Sequence, residues 1–139
     1  MHRSIVAVAL IAFSSAAAAQ EERTPAPDSA RAYIVSPADG AVVTNPFTVI
    51  FGLTDMGIAP AGVERLDTGH HHLLIDTELP YLDEPIPSND NHIHFGGGQT
   101  EMKLELSPGE HSLQLLMGDL DHVPHDPPVI SEPITIIVE

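Results

Sequence analysis

Seven of the nine histidines in this chain fall in three tight groups: His70, His71 and His72 in "GHHHLLID", His92 and His94 in "HIHF", and His122 and His125 in "DHVPHDPP". A neutral imidazole offers one nitrogen lone pair at physiological pH, and it is the commonest protein ligand of zinc and copper(II). On a β-strand, residues i and i+2 leave the same face about 6.5–7 Å apart, so two histidines at that spacing can converge on one ion. His70 with His72 makes one such pair and His92 with His94 another. In "HIHF" the apolar Ile93 and Phe95 claim the interior, which turns both histidines outward. In "HHHLLI" both faces are apolar, so either His70 with His72 or His71 alone faces a site. If the two strands are neighbours, four imidazoles meet. His122 and His125 lie on a Pro-stiffened loop, with Asp119, Asp121 and Asp126 close enough in sequence to orient the rings. The candidate ligands are therefore His70, His72, His92, His94, His122 and His125, holding copper(II) or zinc. Because ligating imidazoles must be neutral, affinity is expected to fall below about pH 6.5.

The competing reading is metal-free. A histidine at a strand end often bonds a backbone carbonyl or a carboxylate, and Asp76, Asp90 and Asp126 are available to pin such a network. His111 follows Pro108–Gly109–Glu110 and shares the parity of Leu113, which makes it structural. Other chemistry finds little support. The chain has no cysteine, so disulfides, thiolate ligands and thiol nucleophiles are excluded. "GGGQT" lacks the Gly-Lys-Ser/Thr of a phosphate loop and reads as a hairpin or bulge, and "DLDH" lacks the later Gly and Glu of a calcium loop. Met102 and Met117 have core parity, leaving Met56 as the free thioether. No catalytic residue is assigned.

These groups need a scaffold, and the apolar pattern supplies one. Short alternating runs separated by Pro, Gly, Asp and Asn predict strands at Ala32–Ser36, Ala41–Thr44, Phe47–Thr54, His70–Asp76, His92–Phe95, Thr100–Leu106, His111–Gly118 and Ile130–Val138. That pattern implies an all-β fold, an immunoglobulin-like antiparallel β-sandwich of about seven or eight short strands. Phe47, Val49, Phe51 and Leu53 share a face, as do Met102, Leu104 and Leu106, and Leu113, Leu115 and Met117; these form the expected core. Ile50, Leu74 and Leu116 then form an outer apolar patch. The loop Glu78–Asn91 is expected to fold back over it, or a homodimer or envelope protein to cover it instead.

Residues 1–19 read as an export signal: a basic start at His2 and Arg3, an apolar run Ile5–Phe13 and an Ala17-x-Ala19 cleavage pattern. The expectation is a periplasmic or secreted protein without membrane insertion, with a disordered leader over 20–31 and one domain over 32–139. Asp and Glu number 20 against 5 Lys and Arg, giving a formal charge of −15. Clustered cationic residues are missing, which argues against nucleic acid, whereas an acidic surface concentrates cations weakly.

Taken together, "FGLTDMGIAPAGVE", "TGHHHLLID", "NHIHFGGGQTE" and "GDLDHVPHDPPVISEPITI" resemble a bacterial family known as domain of unknown function 4399. The resemblance spans about Phe51 to Val138. It implies an exported single-domain protein and marks His70, His71, His72, His92, His94, His122 and His125 as family-type positions, but it brings no reaction. "HIHFGGG" is also similar to the His-x-His element of copper-zinc superoxide dismutases, whose cysteines and other ligand spacings are missing here; a dismutase-like or metal-assisted hydrolytic activity is the enzymatic alternative.

Overall fold

The alternating runs form strands close to the expected positions in the computed structural model, which describes residues 22–139; the expected export signal lies outside the described residues. The strands are β1 (Arg31–Ser36), β2 (Val42–Val43), β3 (Phe47–Thr54), β4 (Gly57–Ile58), β5 (Thr68–Ile75), β6 (His92–His94), β7 (Glu101–Leu104), β8 (Gly109–Gly118) and β9 (Ile134–Val138). Among the described residues there is no helix. One sheet runs β1-β3-β7 and the other β2-β9-β8-β5-β4, with β6 also pairing β5. The long pairings are antiparallel, and the two-residue strands β2 and β4 add short parallel ladders to β9 and β5. The protein is an all-β sandwich.

Alternation predicts the interior well. Phe47, Val49, Phe51, Leu104, Leu113, Leu115 and Met117 are buried between the sheets with Leu73, Ile75, Ile136 and Val138. Leu73, Leu113 and Leu115 are fully buried, each worth about 1.5–3 kcal/mol relative to exposure. β5 behaves differently from its neighbours, because every residue from Gly69 to Ile75 is buried. One face packs in the sandwich, and the loops after β5 and β8 cover the other.

That outer layer corrects part of the patch expectation. Leu74 and Leu116 pack with Ile86, Leu82 and Ile130, so the loop after β5 folds over them as anticipated. Ile50 is elsewhere. It stands on β3, opposite Ser36 and Glu101 in the other sheet, and is 37% exposed. Parity tells which side of its own strand a residue takes, but not which sheet that strand joins.

The stretch read as a leader has defined contacts. Pro25 bridges to Asp126, and Ala26 is buried in the main core. At the other end of β5, His111 Nδ1 donates to Asp76 Oδ2 at 2.6 Å and Nε2 donates to the Ser107 carbonyl at 2.7 Å. Neither acceptor can donate, so both bonds together require the imidazolium form. The Asp76 bond, the Ser107 bond and the Asp76 charge together raise the His111 pKa above 6.5. The folded state therefore holds this proton more tightly than the unfolded chain. The resulting stabilisation is present below about pH 6.5 and is lost as pH rises through the raised value. The melting-temperature gap between wild type and His111→Gln should shrink between about pH 6 and pH 9, and a gap that stays constant would refute the pairing.

Candidate metal centre

The register of β5 decides which histidines meet. His70 lies opposite Gly118, His71 opposite Met117 and His72 opposite Leu116 on β8, while His72 also faces His94 on β6. His70, His72 and His94 therefore share the outer face. His71 points inward, its ring 5.2 Å from that of Phe51. The turn after β8 then brings His122 over the same spot. The His122 ring centroid lies 5.1 Å from His70, 4.6 Å from His94 and 6.1 Å from His72.

One ring nitrogen from each of His70, His94 and His122 lies within 4.8 Å of the others. The closest pair is His70 Nε2 and His94 Nε2, at 3.1 Å. A tetrahedral ion with bonds of about 2.0–2.1 Å to imidazole separates its nitrogens by about 3.3 Å, so this pair already has nearly the spacing an ion needs. His72 stands beside them, 4.8 Å from His70 and 5.1 Å from His94 between ring centroids. Both its ring nitrogens are buried without a hydrogen-bond partner among the described residues, as is His70 Nδ1. His70 and His72 are sealed in, whereas His94 and His122 are half-buried and give the group its solvent side.

Two glycines make room. A Cβ on Gly96 would come within 2.4 Å of His94 Cε1, and one on Gly118 within 2.7 Å of His72 Cε1 and 3.2 Å of the His122 backbone. His122 has a left-handed backbone with φ of 69°, which a non-glycine residue holds only when its surroundings enforce it. Asp119 supplies that enforcement. Its Oδ1 accepts from the amides of Asp121 and Val123, while its backbone carbonyl accepts from the His122 amide.

The local environment keeps protons off three of these rings, His70, His72 and His94. Burial, then the neighbouring His94 and His122, lowers His70 to about 4, and burial followed by His70, His94 and His122 lowers His72 to about 3. His94 is lowered by burial and by His122. The rings thus repel added positive charge as protons yet present lone pairs, the condition a metal ligand needs. The Asp119 carboxylate acts on His70 in the opposite sense, favouring positive charge there.

Of the six expected ligands, the structure brings together His70, His72, His94 and His122 and places two elsewhere. His92 leaves the same face as His94 but one step further along, opposite Leu74, where Nδ1 meets Asn89 Oδ1 at 2.9 Å. His125 lies across Gly69 on the inner side, and its Nε2 donates to the Thr68 carbonyl at 3.0 Å. Of the carboxylates named for a histidine network, Asp76 does pair with a histidine, His111, outside the cluster, whereas Asp126 pairs with Arg23. Gly96, Gly118 and the Thr24 hydroxyl, which donates to Asp119 Oδ2 at 2.6 Å, escaped the sequence reading.

No curated protein and no solved structure matches the chain. The family described as Domain of unknown function (DUF4399) matches residues 49–139, which include every histidine of the cluster, and the chain belongs to that family.

Proposed function

We propose that this protein binds one divalent transition-metal ion, copper(II) or zinc, through His70, His94 and His122, with His72 beside them as a fourth imidazole. The observation that carries this reading is the convergence of three ring nitrogens from two strands and a turn within 4.8 Å. The role is binding, storage or delivery of the ion in the periplasm or outside the cell, without turnover. Imidazole donors suit zinc and copper(II) over magnesium or calcium, which take oxygen ligands. The formal charge of −15 favours a cation over an anion at this surface.

Isothermal titration of the metal-free protein with zinc and with copper(II) tests the proposal directly. Wild type should bind one equivalent of at least one of them. His94→Ala and His122→Ala should each weaken that binding at least tenfold, because each removes a donor from an otherwise preformed set. His92→Ala should leave it within a factor of about two. No heat above dilution for either metal in wild type would end the proposal.

A further inference from the structure

The segment Arg23–Ala26 does more than lead into the first strand. Asp126 N donates to the Thr24 carbonyl at 3.0 Å and Ala26 N to the Asp126 carbonyl at 3.1 Å, laying this segment alongside the His122–His125 loop. Arg23 reaches in two directions: one guanidinium nitrogen donates to the Leu82 carbonyl at 2.9 Å, and the other pairs with Asp126 Oδ1 at 2.9 Å. Arg23 thereby ties the loop after β5 to the loop after β8. Thr24 completes the set through its 2.6 Å bond to the largely buried Asp119. The same carboxylate shapes the turn that holds His122 at its left-handed φ, and the His122 carbonyl in turn accepts from Ile86 N at 2.9 Å.

We propose that Arg23–Ala26 is a strap that positions His122, so that metal affinity at the histidine cluster depends on this segment being docked. The inference rests on the metal-binding reading above and adds its regulation. Three of the cluster's rings stand on β5 and β6, whose ladders fix them. His122 alone stands on a loop, and that loop, bridged to the end of β8 at Gly118–Pro124, is fastened around His122 by Thr24 and Ile86 from outside the strands. Releasing the strap frees Asp119 from Thr24 and leaves the strained turn to relax, which moves one donor away while the sandwich stays intact. Linkage makes the effect reciprocal: if the docked strap strengthens metal binding, bound metal must strengthen strap docking by the same factor.

The test uses full-length protein, zinc affinity by competition with a chromophoric chelator, and the visible absorption of cobalt(II) as a reporter of ligand geometry. Thr24→Val removes the donor while keeping the shape, and Arg23→Gln removes the clamp. Each should weaken zinc at least fivefold and alter the cobalt(II) spectrum, and Thr24→Ser should restore both. In wild type, saturating zinc should slow tryptic cleavage after Arg23 at least fivefold. If wild type binds zinc but Thr24→Val and Arg23→Gln keep its affinity and spectrum, the strap has no such role. Absence of protection at Arg23 overturns it as well, even where a variant fails to fold. Failure of wild type to bind either ion overturns the metal reading instead.

Discussion

Gly118→Ala is expected to weaken metal binding at least a hundredfold and to destabilise the metal-free protein by about 1–3 kcal/mol, the usual range for overpacking a closed site. Its Cβ would meet His72 Cε1 at 2.7 Å and the His122 backbone at 3.2 Å. The enclosed His72 ring must turn aside, and the His122 backbone must give by a few tenths of an ångström. His72 is held on a strand paired on both edges, by β8 and by β6, and His122 sits in the turn set by Asp119. The cluster must spread, and the ring nitrogens must separate beyond the span of one ion. Calorimetric titration beside a thermal melt checks both parts. Wild-type affinity in the alanine variant would show that the rings do not converge as described.

His71→Leu is expected to raise the stability of the metal-free protein by about 1–3 kcal/mol, with metal affinity unchanged. His71 is fully enclosed against Phe51, and neither ring nitrogen has a hydrogen-bond partner among the described residues. A buried polar group without a partner carries that order of desolvation penalty. Leucine is close in volume, so the exchange opens little cavity. Burial holds His71 at about 4, so it sits in the folded core as a neutral ring. A melting temperature below wild type would show that the ring has a partner the packing conceals. A large change in metal affinity would show that the inward histidine belongs to the site.

The fold was legible where a strand buries one face. Phe47, Val49 and Phe51, and Leu113, Leu115 and Met117, announce themselves by period-2 alternation, and they form the core. β4 was not legible, since Gly57 and Ile58 are too short a run for any period to register. Ile130 read as the start of the last strand, yet β9 begins at Ile134 after Pro133, and Ile130 packs in the outer layer. For the site, the triplet on β5 stayed ambiguous because both faces of that strand are buried, which erases the polar alternation that would separate His71 from its neighbours. The position of His122 depended on a left-handed turn, a carboxylate and a residue nearly a hundred positions away, Thr24. No local pattern encodes that combination.

The double burial of β5 divides its residues into two independent sets. Odd-numbered positions His71, Leu73 and Ile75 build the sandwich, while even-numbered His70, His72 and Leu74 build the outer layer and its imidazoles. Selection can therefore alter or erase the imidazole cluster by changing alternate letters of one strand, while the packing between the sheets is inherited untouched. Within this architecture, chemistry and foldability can evolve at different rates on the same eight residues.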